Sequence, residues 1–283
     1  MALPAADPGR TCVITGASSG IGADLARLLA ARGLGVTLVA RRADRLATLA
    51  GDLRDRHGVR AEVLAADLTD EAARGALPGR LEELGLTVGV LVNNAGLSTV
   101  GPVARADRQA ELAMIRTDVE AVVDLCTMFV PGLVRAGQGA VLNVASTAAF
   151  QPLPGQAGYG AAKAFVLSYS HALGGELRGT GVSVTALCPG PVRTEFFDAA
   201  GIAPESLSAL PGFVWSTSEA VARAAVAGMA AGRPLVIPGL ANKVTAMGGH
   251  LTPRPLLVPI LRKFWPAMRI ETDRPAAPPT AGR

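Results

Sequence analysis

Tyr159 and Lys163 stand four residues apart in a segment of helical pattern, so their side chains leave one face of a helix one turn apart. A free tyrosine ionises near a pKa of about 10, too high for easy proton exchange at neutral pH, and a close ammonium stabilises the phenolate. Such a pair can work as acid and base. A Tyr-x-x-x-Lys spacing alone is common and mostly marks an exposed helical pair. It gains weight from Ser146, thirteen residues earlier at the end of an apolar run, whose hydroxyl can hold a carbonyl oxygen. A second constellation lies near the N-terminus, where Thr15-Gly16-Ala17-Ser18-Ser19-Gly20-Ile21-Gly22 follows a short apolar run and opens a helical one. Its three glycines suit a tight turn, close approach of backbone to a pyrophosphate and close contact of helix with strand, while the helix N-terminus presents N–H groups. Proton exchange at an oxygen beside a bound dinucleotide is the chemistry these residues offer.

The elements that must position them form a regular alternation. Short runs rich in Val, Ile and Leu fall at residues 12–15, 36–40, 61–65, 88–92, 140–145, 182–187 and 235–237, separated by stretches of helical period. The first helix shows a face through Ile21, Leu25, Leu28 and Leu29, with Gly33 as a left-handed terminator, and the second through Leu46, Leu49, Ala50 and Leu53. A long helix from about Arg108 carries Leu112, Ile115, Val119, Val122 and Cys126 on one face, and Pro131 is expected to end it. The pattern predicts an α/β fold: a doubly wound, Rossmann-type, seven-stranded parallel sheet flanked by helices, with a C-terminal helical extension. Ligands of such sheets bind beyond the strand carboxyl ends near the switch in strand order, where every motif above falls. Residues 1–10 read as a tail, 11–240 as the catalytic domain, and 241–283 as an extension with a short helix and a disordered end.

At 283 residues, 49% of them apolar, the chain can bury a large core. Its net charge of +4 reads as spread along the chain, not gathered into a run that could track a phosphate backbone, and nucleic acid is not an expected partner. Cys12, Cys126 and Cys188 are far apart and odd in number, which suits buried free thiols. His57, His171 and His250 lie in unrelated segments, and no metal is expected. With no signal-like N-terminus and no apolar run of spanning length, a cytoplasmic location is expected.

The spacing of the glycine loop, together with Asn93-Asn94-Ala95-Gly96, Ser146, Tyr159-x-x-x-Lys163 and Pro189-Gly190-Pro191-Val192-Arg193-Thr194, resembles the short-chain dehydrogenase/reductase family, in its shorter single-domain branch, over about residues 11–240. The resemblance implies an oxidoreductase that interconverts a carbonyl and a secondary alcohol by hydride transfer from a nicotinamide, with Ser146, Tyr159 and Lys163 as its catalytic residues. It places the cofactor against Gly16, Ser18, Ser19, Gly20, Ile21 and Gly22, then Asp67 and Leu68, Asn93, Ala95 and Gly96, and Pro189, Gly190, Val192 and Thr194, with Lys163 on the nicotinamide ribose. Asp67, implied to meet the adenine amino group, could equally cap the following helix. Asn93 is implied to steady the central strand and border the cofactor.

Two departures matter. The end of the second strand reads Val39-Ala40-Arg41-Arg42, with no carboxylate for a ribose and two guanidinium groups able to grip a 2′-phosphate, so NADP(H) is favoured over NAD(H) and Arg41 is the first choice as phosphate contact. Asp118 replaces the asparagine that in relatives helps hold a proton-relaying water beside the lysine, and altered pH dependence is expected. A cofactor-binding regulator without turnover is the rival reading. Phe196, Phe197, Leu210, Phe213, Val214 and Trp215 follow the sixth strand, where they either line an apolar substrate site or pack the loop down. Relatives commonly pair through the helices carrying Asp118 and Tyr159, so a homodimer or homotetramer is expected. Leu256, Leu257, Ile260, Leu261, Phe264 and Trp265 share a helical face that is expected to pack on protein near the substrate loop, membrane contact being the less favoured alternative.

Overall fold

A computed structural model describes residues 3–201 and 212–264. Seven strands, β1 (Arg10–Thr15), β2 (Gly35–Ala40), β3 (Ala61–Ala65), β4 (Thr87–Asn93), β5 (Gly139–Val144), β6 (Val182–Leu187) and β7 (Leu235–Val236), form one sheet in the order β3-β2-β1-β4-β5-β6-β7. Every neighbouring pair is parallel. The predicted runs match these strands within two residues at each end. Their continuous apolar character follows from burial on both faces, since a parallel sheet is covered by helices on either side.

Against one face lie α1 (Gly20–Ala30), α2 (Ala43–His57) and α9 (Ser218–Ala230), whose Leu25, Leu29, Leu46, Leu53 and Val221 join Ile14, Leu38 and Val92 in one core. On the other face, Leu77 and Leu81 of α4 (Leu77–Glu83), Leu125 and Leu133 of α6 (Ala121–Ala136) and Val166 of α7 (Ala157–Glu176) pack on Val13, Leu91 and Val141. Gly33 takes the left-handed backbone expected of it, with φ +79°. Strand order reverses between β1 and β4, and the carboxyl ends of these two strands carry the glycine loop and Asn93-Asn94-Ala95-Gly96.

The long helix departs from expectation twice. Pro131 does not end it; the proline ring lies exposed on the outer side while the neighbouring Phe129, Val130 and Leu133 are buried, and that burial outweighs one lost backbone hydrogen bond. The break comes earlier, as a π-helical turn over Arg116–Glu120 between α5 (Arg108–Ile115) and α6. A π turn adds a residue and shifts the face that follows it. Met114, Thr117 and Asp118 therefore point inward, whereas Ile115, expected in the core, is exposed. Buried Arg74, in the short helix α3 (Glu71–Gly75), holds this turn by pairing with Glu120 and with Asp124 at 2.8 Å.

After β7 come α10 (Leu240–Leu251) and α11 (Arg254–Phe264); α8 is the single turn Phe196–Ala199. No helix among the described residues is long and apolar enough to cross a membrane. Leu210, Trp265 and the tail expected to be disordered lie outside the described residues, as do the side chains of Lys263 and Phe264. The predicted face of α11 is split: Leu257 is buried and Leu261 partly so, but Leu256 and Ile260 are exposed.

Candidate active site

A cavity of about 700 Å³ opens along the carboxyl ends of β1 to β6. At one end the glycine loop joins β1 to α1. Gly16 and Gly20 have φ of +66° and +53°, and a Cβ at either would fall about 3 Å or less from Ala95 or from Thr194, so the loop can close on its neighbours only without side chains there. Ser19 at the N-cap of α1 makes no capping hydrogen bond, leaving the first-turn N–H groups directed at the cavity without that partner. Its hydroxyl instead accepts a hydrogen bond from Arg42 at 3.0 Å, and Ser18 accepts two more from the same guanidinium at 2.9 and 3.2 Å. A third arm of Arg42 meets Glu195 at 2.8 Å, and Arg45 meets Glu195 at 2.7 Å. Paired arginines beside this exposed carboxylate hold it below the usual carboxylate range. Arg41 lines the same end and makes no hydrogen bond or ion pair among the described residues.

Asp67 and Leu68 line the wall after β3. Capping of α3 belongs to Asp70, which accepts from the N–H groups of Ala72 and Ala73, while Asp67 accepts from Thr69 at 2.9 Å. Asn93, the last residue of β4, and Asn94, which follows it, divide their work, as successive residues of an extended chain point to opposite faces. Asn93 is buried behind the cavity, not on its wall as expected; it donates to Asn143 at 2.8 Å and so ties β4 to β5. Asn94 lines the cavity and donates to the carbonyls of Thr15 and Gly16. Its role could have been read from the period of the strand. Ala95, Gly96, Pro189, Gly190, Val192 and Thr194 lie on the wall, and Gly22 lies beneath the loop against the Gly16 carbonyl.

At the other end Tyr159 and Lys163 project from α7 beside Ser146. Lys163 Nζ lies 5.7 Å from the centre of the Tyr159 ring and donates to the carbonyl of Val144 at 3.2 Å. Ser146 begins a short 3₁₀ turn and accepts from the Ala148 N–H at 3.1 Å. Phe196 packs on Tyr159 at 5.9 Å, and Phe197 meets Trp215 edge to face at 5.5 Å, so Phe196 and Phe197 line the cavity while Trp215 packs the loop from behind. The three cysteines are buried free thiols, and burial pushes Cys12 and Cys188 up to about 12 and Cys126 to about 11, which keeps them inert near neutrality. No metal-ligating cluster occurs among the described residues.

Asp118 is the feature that sets this centre apart. The π turn drives it to full burial, where one oxygen accepts the Leu97 N–H at 2.7 Å and the other pairs with Lys163 at 2.9 Å. Burial lifts its carboxyl above the ordinary range, against the pull of Lys163 and of the Leu97 N–H. Burial also works against the Lys163 ammonium, but Asp118 and Tyr159 outweigh it and hold Lys163 above its usual value. For Tyr159, burial raises the phenol, Lys163 and Ser146 lower it, and Asp118 raises it again. Asp118→Asn removes that last contribution, so Tyr159 should ionise at a lower pH in the variant. The chain has only two tyrosines, and burial holds Tyr169 well above its usual value. Phenolate absorbance therefore isolates the Tyr159 step, and an unmoved or alkaline-shifted titration in Asp118→Asn would contradict the coupling.

Comparison with known proteins bears on this arrangement. The family model for short chain dehydrogenases matches residues 10–203. Sulfoacetaldehyde reductase 2 of Chromohalobacter salexigens is 39% identical over 186 residues, covering 65% of this chain and 73% of that protein. A short-chain dehydrogenase from Sphingobium yanoikuyae, solved in complex with NADPH, is 38% identical and superposes with a TM-score of 0.76 over 85% of this chain and 92% of that one. The bulky-bulky ketone specific alcohol dehydrogenase of Comamonas testosteroni is 29% identical, with a TM-score of 0.71 over 96% of this chain and 98% of its own.

Proposed function

We propose that this chain, which belongs to the short-chain dehydrogenase family and is an NAD(P)-dependent oxidoreductase interconverting carbonyl and alcohol, works with NADP(H) and reduces bulky, apolar ketones or aldehydes. One observation carries the reading: a single cavity joins two arginines and a glycine-loop helix N-terminus at one end to Ser146, Tyr159 and Lys163 at the other.

When bound, NADPH would supply the hydride for the carbonyl carbon. The protein's own residues do the rest. Ser146 holds the carbonyl oxygen by its hydroxyl, and the Tyr159 phenol gives that oxygen its proton as negative charge develops there. Lys163 stabilises the phenolate left behind, and Asp118 fixes Lys163 in reach of it. The α1 N-terminus would hold the pyrophosphate, with Asp67 and Leu68 on the adenine side and Val192 and Thr194 on the nicotinamide side.

An apolar substrate is supported by the lining near Tyr159, where Leu153, Phe196, Phe197, Val214 and Leu261 gather. The described cations on the cavity wall are Arg41, Arg42 and Lys163, so a sulfonate or carboxylate substrate would find only the already paired Lys163 near the reacting atoms. The Comamonas enzyme, named for bulky ketones, fits this lining better than a sulfoacetaldehyde reductase does. Pairing of subunits through α5, α6 and α7 is supported by Ile115, Val134 and Phe165, which these helices leave exposed.

NADP(H) preference rests on the β2 end. Arg41→Ala should cost about 1.5–3 kcal/mol of NADPH binding, the worth of a charge-assisted contact, and change NADH binding little. Glu195→Gln should act in the opposite direction, because its carboxylate competes with a 2′-phosphate for Arg42 and Arg45. Titration calorimetry with both cofactors checks the pair. Equal loss of NADH and NADPH binding in Arg41→Ala would remove the phosphate assignment.

A further inference from the structure

The helix α10 turns its small and polar residues Asn242, Ala246 and Gly249 inward and leaves Leu240, Val244, Met247 and Leu251 exposed. Asn242, only 4% exposed, is thus a buried polar side chain on the wall of the cavity. Burying an amide is unfavourable unless its donors and its acceptor find partners. Both of its N–H groups do: Nδ2 donates to the carbonyl of Pro238 at 3.1 Å and to that of Val214 at 3.3 Å. Those carbonyls also fix which end of the amide is which, because an oxygen in that place would face only acceptors. The amide packs across Gly190 of the cavity wall, where a Cβ would collide with it. Its oxygen, the atom nearest Gly190, accepts no hydrogen bond among the described residues. Unlike the shut-in oxygen of Asn93, it is open to the cavity.

Thr245, one turn further along α10, stands at the exposed edge of the same cavity. Its hydroxyl donates to the carbonyl of Ala241 at 2.9 Å, so its single hydrogen is spent and only lone pairs remain. To the cavity α10 therefore offers two acceptors and no donor. A carboxylate, a sulfonate or a ketone oxygen would meet lone pairs there, whereas a hydroxyl would be bound. Val214 and Leu261 line the cavity as well and supply apolar contact. An entirely apolar ligand lying against this wall would strand the Asn242 oxygen without water or partner, which lowers its affinity.

We infer that Asn242 is a specificity-determining residue whose side-chain oxygen accepts a hydrogen bond from a hydroxyl carried by the substrate away from the reacting carbonyl. The substrate class is then a bulky, largely apolar ketone or aldehyde that bears such a hydroxyl. The inference rests on the carbonyl-reducing reading of this cavity for the group that reacts, but not for the place where the hydroxyl binds.

The probes are benzophenones with a hydroxymethyl group at the meta or the para position, the methyl ether of each, and benzophenone itself. Titration calorimetry on the full chain saturated with NADP+ reads ketone binding without reaction, since the oxidised cofactor has no hydride to give. At one of the two positions the hydroxyl compound is expected to bind about tenfold or more tightly than its ether, which keeps the bulk and loses the donor. Asn242→Leu should bring that ratio close to one, and Asn242→Ala, which adds no bulk against Gly190, checks the same ratio. Because the ratio is taken within one preparation, a partial loss of folded protein cancels. Wild-type protein that binds hydroxyl compounds no better than ethers at either position overturns the inference, as does a preference that survives both substitutions. Weaker binding of NADPH and of every probe alike would assign Asn242 to the cofactor and overturns it too. Turnover with NADPH is the separate arm. Hydroxyl-selective binding without turnover of any ketone would leave the Asn242 assignment standing and remove the redox reading alone, and turnover without hydroxyl preference would do the reverse.

Discussion

Tyr159→Phe should lower turnover by about 10²–10⁴-fold, the range contributed by a positioned proton donor, while NADPH affinity stays within a few-fold of wild type. The physical reason is that one atom is removed and little else. The ring keeps its contact with Phe196 at 5.9 Å and its place beside Lys163, so the cofactor's surroundings persist. Ser146 still holds the carbonyl oxygen, but nothing at its side can protonate it. Steady-state kinetics together with fluorescence titration of NADPH separates the two effects. Turnover within a few-fold of wild type would mean that the proton comes from elsewhere, and the assignment of Tyr159 would fall.

Lys163→Ala should be more damaging still, because it affects both chemistry and fold. Turnover should fall at least as far as in Tyr159→Phe, since the phenolate loses its nearby ammonium, and cofactor binding should weaken with the loss of the ribose contact that the family resemblance implies for Lys163. The folded state should lose about 3–5 kcal/mol, the usual consequence of leaving one partner of a buried ion pair without the other. Here the stranded partner is Asp118, fully buried and left with only the Leu97 N–H. Combining Lys163→Ala with Asp118→Asn should restore most of the stability and none of the turnover, because the amide needs no counter-charge. Chemical unfolding of the four proteins gives the coupling energy directly. A double variant no more stable than Lys163→Ala would show that the pair contributes nothing by its charge.

Much of this arrangement could be read along the chain because it depends on local spacing. Strand ends followed from apolar runs and their glycines, and Ser146, Tyr159 and Lys163 converge as a strand end and a helix turn require. What escaped depends on tertiary packing. Nothing in the sequence around Arg116–Glu120 announces a π turn, yet that one extra residue turns Asp118 into the core and Ile115 out of it. Pro131 misled because its cost is local whereas the burial of Leu133 beside it is not. The Arg42, Arg45 and Glu195 cluster joins residues about 150 positions apart, which no local pattern reveals. The helix α10 was hidden for a different reason: its apolar face is turned outward, so the usual signal of a core-facing stripe points the wrong way.

The most direct test of the central claim is oxidation of NADPH, followed by cofactor absorbance, against a panel of ketones and aldehydes running from small and charged to bulky and apolar. The account predicts turnover that rises toward bulky, apolar carbonyl compounds and that is much faster with NADPH than with NADH. Tight NADPH binding without turnover of any member of the panel, or equal use of the two cofactors, would contradict it.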